Sequence, residues 1–213
     1  MRIGLDVHPL FEQLRQRLHA EPGLALTLPG AGLREAAVLV PLFQRGGVPY
    51  VLFTKRPMTL RNHAGQFSFP GGARDPDDET PLHTALREAH EELGIPPERV
   101  QVLGMLDESP TVTNFRIQPF VGVIPGDLTY QPNPEEIELI LEVPLSKLLT
   151  PQSPRRELWR RDGKEHEVYF FDYGPHVIWG ATGRILVQLF NKARGLPAFE
   201  SLRGGSAPCR CTP

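Results

Sequence analysis

The chain reads as an α+β protein built on a mixed β-sheet sandwiched between α-helices, and three observations lead there. Apolar runs of strand length recur between residues 34 and 174. Segments with helical spacing of apolar residues stand near both ends and in the middle. The two kinds of segment do not alternate in the strict strand–helix order of a doubly wound sheet.

Residues 8–19, HPLFEQLRQRLH, put Leu10, Phe11, Leu14 and Leu18 on one helical face. With the loop that follows, residues 1–33 form an N-terminal helix and linker expected to pack on the main domain. REAAVLVPLF (34–43) and PYVLFTKR (49–56) are strand-like and flank a QRGG turn, so they read as a hairpin. In GQFSFPGG (65–72), Phe67 and Phe69 alternate before Pro70, Gly71 and Gly72 interrupt the pattern. TPLHTALREAHEELG (80–94) is the clearest helix. Thr80 suits the N-cap, Pro81 the first helical position, and Gly94 the position just past the end. VQVLGMLDE (100–108) and FRIQPFVGVIP (115–125) read as strands. EIELILEVPLSKLL (136–149) reads as a strand entering a short helix, and HEVYFFDYG (166–174) as another strand. GATGRILVQLFNKA (180–193) is an amphipathic helix in which Thr182 is expected to cap and Trp179, just before it, to wall the sheet–helix junction. The basic segment RRELWRR (155–161) could touch a phosphate or a partner subunit, and reads rather as a mobile, solvated hairpin. The main domain is thus expected at 34–195, and residues 196–213 as a mobile tail.

Composition narrows the function. The 213 residues are 40% hydrophobic, enough for a real core, and the net charge of −2 argues against nonspecific nucleic-acid or membrane-surface binding. No apolar run approaches the roughly 20 residues of a membrane span. The start, MRIGLDVHPLFEQL, lacks the pattern of a signal peptide. The two cysteines, Cys209 and Cys211, suit neither a disulfide framework nor a metal site, and a cytoplasmic location is expected. A homodimer stays open.

The helix at 81–93 has an odd charge distribution. At about 100° per residue, Leu82, Leu86, Ala89 and Leu93 form one stripe, and Glu88, Glu91 and Glu92 gather elsewhere. Like charges at these spacings repel by roughly 0.2–0.5 kcal/mol per pair. Carboxylates near a helix C-terminus also oppose its dipole. A solvated face would tolerate this. However, the helix follows two glycines that let backbone approach a ligand closely. Clustered carboxylates beside a glycine turn suit a hard cation such as Mg²⁺, and with it the hydrolysis of a phosphoanhydride.

Two adjoining motifs carry a family resemblance. GGARDPDDETPLHTALREAHEELGI (71–95) resembles the Nudix box, matching Arg87, Glu88, Ala89, Glu91, Glu92, Gly94 and Ile95. Counting back from Arg87 places the remaining box glutamate at Glu79, with one extra residue between it and Gly72; Asp78 is the neighbour able to share its role. That extra residue, and the upstream run LFTKRPMTLRNHAGQFSFPGG (52–72), resemble the coenzyme A pyrophosphatase subgroup. Leu52, Thr54, Arg56, Leu60, His63, Gly65, Phe69, Pro70, Gly71 and Gly72 fall on its motif. NPEEIELILEVPL (133–145) and VIWGATGRIL (177–186) are similar to it as well, so the resemblance spans roughly 35–190.

The resemblance implies a Nudix fold and hydrolysis of a nucleoside diphosphate derivative, with Mg²⁺ or Mn²⁺ as cofactor and a small molecule as partner. For the subgroup it implies coenzyme A as substrate, cleaved to adenosine 3′,5′-bisphosphate and 4′-phosphopantetheine. Glu88 and Glu92 are then the expected metal ligands, with Glu91 beside them and a carbonyl of Gly71 or Gly72 completing the sphere. Arg87 is expected to orient a glutamate, within the box or at Glu79. The general base is Glu91, Glu92 or Glu136. Arg56, Arg61, His63 and Gln66, with Gly71 and Gly72, are the expected substrate contacts. Two other readings stand beside this one: a Nudix hydrolase of a dinucleotide or nucleoside triphosphate, and a non-catalytic binding protein on the same scaffold.

Overall fold

A computed structural model describes residues 8–20, 32–59, 63–150, 152–161 and 163–204. Of the expected features, Arg61, Cys209 and Cys211 lie outside these residues. The helices are α1 (Pro9–Arg15), α2 (Pro81–Leu93), α3 (Gly180–Ala193) and α4 (Pro197–Glu200). The strands are β1 (Arg34–Arg45), β2 (Val48–Lys55), β3 (Phe67–Ser68), β4 (Gly71–Ala73), β5 (Gln101–Met105), β6 (Ser109–Pro110), β7 (Phe115–Val123), β8 (Leu139–Pro144), β9 (Arg155–Arg161), β10 (Lys164–Tyr173) and β11 (His176–Trp179).

The hairpin expected near residue 46 is there. Gly46 and Gly47 turn it with φ of +57° and +76°, the left-handed pair that matches the twist of the flanking strands. β1 is the axis of the main sheet, which runs β3-β2-β1-β7-β5, with β4 added to β1, β6 to β7 and β8 to β2. β1 and β7 are parallel, Arg34 opposite Phe115 through to Leu42 opposite Val123, whereas the other pairings are antiparallel. The sheet is therefore mixed.

Alternation along β1 divides the core between two faces. Ala37, Leu39 and Phe43 point into a cluster capped by α2 through Ala85, Ala89 and Leu93. Val38, Val40 and Leu42 point into a larger cluster with Phe11, Ile185, Leu189 and Phe199 from α1, α3 and α4. Both faces are covered, which explains the long unbroken apolar run of β1.

Three details differ from the sequence reading. The face α2 turns inward centres on Ala85 and Ala89 and includes Glu92, while Leu86 stays only partly buried. Thr182 does not cap α3; Trp179 stands at that N-cap without a side-chain bond, and the Thr182 hydroxyl donates instead to the Phe67 carbonyl at 3.1 Å. The expected tail begins inside the core, since Leu196 and Phe199 are 6% and 4% exposed. The basic hairpin is there as β9 on β10 and is largely exposed, with Trp159 leaning on Phe170 and Trp179. Among the described residues, no helix is long and apolar enough to cross a membrane.

Candidate active site

α2 presents the carboxylates because its ends are well defined. Thr80 accepts a hydrogen bond from the His83 amide at 3.1 Å, and Gly94 closes the helix with φ +67°, as an αL cap requires. The loop after β7 fastens onto the same end. The amides of Gln131 and Asn133 donate to the carbonyls of Leu93 and Glu92 at 2.8 and 2.9 Å. Three residues on, this loop carries Glu136, held by Asn133 Nδ2 at 3.3 Å, and Ile137 anchors it in the core. A helix terminus thus delivers Glu136 to the face that bears Glu88 and Glu92.

The glycines fit that face closely. A Cβ on Gly72 would stand 2.4 Å from Glu88 Oε1, and one on Gly71 would stand 2.4 Å from the Ala37 carbonyl. Only bare backbone allows β4 to lie between β1 and the α2 carboxylates. The Gly71 amide is the backbone group that stabilises the charged form of Glu92.

Glu92 is 3% exposed. Burial, reinforced by the charges of Glu88 and Glu136, pushes its carboxyl up to about 8, and Arg56 opposes the rise. Burial also raises Glu88, against the pull of Arg87. The Oε2 atom of Glu92 is buried with no hydrogen-bond partner. An orphaned buried carboxylate oxygen is costly unless a cation or ligand completes it. Glu91 stands apart: its side chain is 53% exposed and its carboxylate is 2.9 Å from Arg87 Nη1. Of the three glutamates expected to converge, Glu88 and Glu92 share the buried face, on which the charge of Glu136 also acts, and Glu91 does not join them. Among the described residues no ready-made cluster of three metal-ligating side chains is present.

The partner of Arg87 is Asp78, and not Glu79. Nε and Nη2 of Arg87 each lie 3.0 Å from one oxygen of Asp78, a bidentate pair. Nη1 is 3.0 Å from Glu88, so one guanidinium links the loop to the carboxylate helix. Asp78 is 3% exposed and also accepts from the Asp75 amide at 2.9 Å. The Arg87 hydrogen bonds hold its carboxyl well below the usual carboxylate range. Glu79 is exposed. The spacing signal was present: five residues separate Gly72 from Asp78, so the extra residue lies after the acid and not before it.

Of the expected substrate contacts, Arg56 is the one whose charge acts on Glu92. Its amide donates to the Gln66 carbonyl at 3.1 Å, and its carbonyl accepts from Gly65 at 3.1 Å. His63 and Gln66 pair with each other, Nδ1 to Oε1, at 2.8 Å. His63 holds a φ of +56°, an uncommon conformation for a side-chain-bearing residue. Lys55 is engaged elsewhere, with Glu138 at 2.7 Å.

The NUDIX domain model matches residues 33–173. A curated relative from Photorhabdus laumondii, named Uncharacterized Nudix hydrolase NudL, is 46% identical over 156 residues, 73% of this chain and 83% of its own. A relative of the same name from Shigella flexneri is 38% identical over 180 residues, 84% of this chain and 88% of its own. Among solved structures, a MutT/nudix family protein from Enterococcus faecalis aligns over 83% of this chain and 70% of that one, with TM-score 0.50 and 14% identity. It shares the fold. The family match and relatives named as Nudix hydrolases support a pyrophosphohydrolase. The chain belongs to the Nudix hydrolase family.

Nudix hydrolases use divalent metal ions. Glu88 and Glu92 fit one, because the orphaned Glu92 oxygen and the neighbouring Glu88 carboxylate supply hard oxygen donors. Such ions are commonly held by one or two carboxylates, with water and substrate phosphate filling the remaining positions.

Proposed function

We propose that the chain hydrolyses the pyrophosphate bond of coenzyme A and its derivatives, releasing adenosine 3′,5′-bisphosphate and 4′-phosphopantetheine, with Mg²⁺ or Mn²⁺ as the ion. The observation that carries this reading is Arg56, whose charge acts on Glu92 and whose backbone is bonded to that of Gln66 and Gly65. Arg56 falls on a position of the motif that resembles the coenzyme A subgroup, and Gln66 leads through β3 into Gly71 and Gly72. A substrate with a pyrophosphate and a further 3′-phosphate calls for cationic groups beside the carboxylates.

When bound, the ion neutralises phosphate oxygens and lowers the pKa of a coordinated water. Glu88 and Glu92 would hold it. Arg87, fixed by Asp78, keeps Glu88 in place. Water attack forms a new P–O bond as the bridging P–O bond breaks, and the leaving phosphate takes the electron pair. Glu136 is the base assigned to the water proton. Glu91 is tied to Arg87 and Glu92 is committed to the ion, whereas Glu136 shares the face of both ligands. Arg56 receives phosphate charge.

The test is a mass-spectrometric screen with Mg²⁺ of coenzyme A, dinucleotides and nucleoside triphosphates. Coenzyme A should be cleaved with the highest kcat/KM, to the two products named. Faster cleavage of a dinucleotide or triphosphate overturns the substrate assignment, and no turnover of anything favours a binding role.

A further inference from the structure

Away from the carboxylates, a cleft of about 250 Å³ lies between the β9–β10–β11 sheet, the start of α3 and the residues after β6. Both tryptophans of the chain, Trp159 and Trp179, line it. The register explains why they meet. Trp159 is opposite His166 and Phe170 is opposite both Arg155 and Trp179, so these side chains share one face. Phe171 and Ile178 take the other face and are fully buried in the core. The aromatic face therefore points away from the core.

Trp179 stacks on Phe170 at 5.9 Å and 9°, while Trp159 leans on Trp179 at 5.7 Å and 49°. Trp159 is 45% exposed, and Val112 on the facing wall is 70% exposed. Arg161, His166 and Arg184 also line the cleft. Glu167, which lines it too, is occupied by Arg156, at 2.6 Å, and by the Tyr169 hydroxyl, and the Trp159 indole N–H donates to Glu157 at 2.8 Å. Aromatic walls beside the Arg184 guanidinium suit a flat ring carrying an anion. A wholly apolar occupant would make no use of that guanidinium. The volume lies near the lower end of small-molecule sites, roughly 300 Å³, so it takes a ring system and not a whole dinucleotide.

We propose that this cleft binds the nucleobase and phosphate of a nucleotide, with the base against Trp159 and Trp179 and the phosphate toward Arg184 and His166. Bases stack on aromatic side chains because every base offers a π-face. The first turn of α3, which lines the cleft, is bonded through Thr182 to Phe67, on the strand that enters Gly71 and Gly72. The ligand is either the adenosine end of the substrate or a separate nucleotide. Choosing adenosine as the probe rests on the function proposed above; the chemistry of the cleft does not.

Because no tryptophan lies elsewhere, intrinsic emission reports on this cleft alone. Adenosine 3′,5′-bisphosphate is titrated into the full chain with a chelator present, so that no turnover occurs. A saturable emission change is expected, about tenfold weaker in affinity for Arg184→Ala, the effect of one charge-assisted hydrogen bond, and partly restored in Arg184→Lys. Should Arg184→Ala fail to fold, Trp159→Phe replaces it, with weaker binding read from Trp179. A raised KM for coenzyme A at unchanged kcat in Arg184→Ala assigns the cleft to the substrate's own adenosine end. An unchanged KM with weakened bisphosphate binding assigns it to a separate nucleotide, and both outcomes support the site. No saturable change, equal affinity in Arg184→Ala, or a response to 4′-phosphopantetheine but not to the bisphosphate overturns it. Absence of coenzyme A cleavage leaves this readout untouched, so the two proposals fail separately.

Discussion

Exchanging Asp78 for asparagine should cost more stability than any change at its neighbour Glu79. The substitution keeps the side-chain shape and removes the charge. Asp78 is 3% exposed and takes two hydrogen bonds from Arg87 and one from the Asp75 amide. Removing one partner of a buried ion pair costs about 3–5 kcal/mol when the remaining charge is fully buried. Arg87 is 25% exposed and retains Glu88 and Glu91, so the loss falls to about 2–3 kcal/mol once solvent screening is allowed for. At this chain length that lowers Tm by roughly 5–10 °C. Glu79→Gln, at an exposed position, should stay within about 0.5 kcal/mol. Urea unfolding followed by circular dichroism, in the presence of a chelator, measures both. The pH dependence has a definite sign. Asp78 is held well below its ordinary value of 3.8, so its contribution is whole above that pH and is lost as pH falls toward the depressed folded value. The gap between wild type and Asp78→Asn should therefore close in acid. A Glu79→Gln loss equal to that of Asp78→Asn, or an Asp78→Asn loss under about 1 kcal/mol at neutral pH, would refute the pairing.

Further expectations follow from the same geometry. Gly72→Ala puts a Cβ 2.4 Å from Glu88 Oε1 and should weaken divalent-ion affinity, read by calorimetry, more than it lowers Tm; intact affinity would contradict the close approach. Phe199→Ala, at a buried ring against Phe190, should cost about 3 kcal/mol in urea unfolding, where a free tail would cost nothing. Arg56→Ala should raise KM for coenzyme A more than for a dinucleotide lacking the 3′-phosphate, and equal effects argue against that contact. Glu136→Gln should remove the acidic limb of the pH–rate profile of kcat, the fall in rate as the base is protonated, and an unchanged profile removes Glu136 as base. Glu92 carries the opposite sign to Asp78. Its folded value of about 8 exceeds its ordinary 4.5, so ionisation favours the unfolded chain increasingly as pH rises between those values. With a chelator present, Glu92→Gln should therefore be the more stable protein at pH 8, by a margin that shrinks toward pH 4.5. Wild type being more stable at pH 8 would contradict the burial argument.

The helix limits were legible because local chemistry sets them: Thr80, Pro81 and Gly94 act on their own backbone. The β1–β2 hairpin was legible for the same reason, through Gly46 and Gly47. The inward face of α2 was not. Leucine spacing pointed to Leu86, yet the small Ala85 and Ala89 let the helix lie close on the sheet and bring Glu92 in with them. Hydrophobicity ranks leucine above alanine, but closeness of approach decided the contact. Counting back from Arg87 reaches Glu79 and counting forward from Gly72 reaches Asp78, and which of the two adjacent acids turns inward is decided by tertiary contact with Arg87. Glu136 was legible as a candidate only; its place beside Glu92 depends on amide bonds from Gln131 and Asn133 to the end of α2, a tertiary contact with no local signature. Leu196 and Phe199 look like part of a polar, glycine-bearing end, and only the surface offered by α1 and α3 makes them core.

The central claim is that Glu88 and Glu92 hold the divalent ion that Nudix chemistry needs. A Mn²⁺ titration of wild type and Glu92→Gln, followed by electron paramagnetic resonance at pH 8 with folding checked by circular dichroism, tests it most directly. Removing one charged oxygen ligand should weaken binding by about tenfold or more in a folded variant. Equal Mn²⁺ affinity in the two proteins would contradict the account.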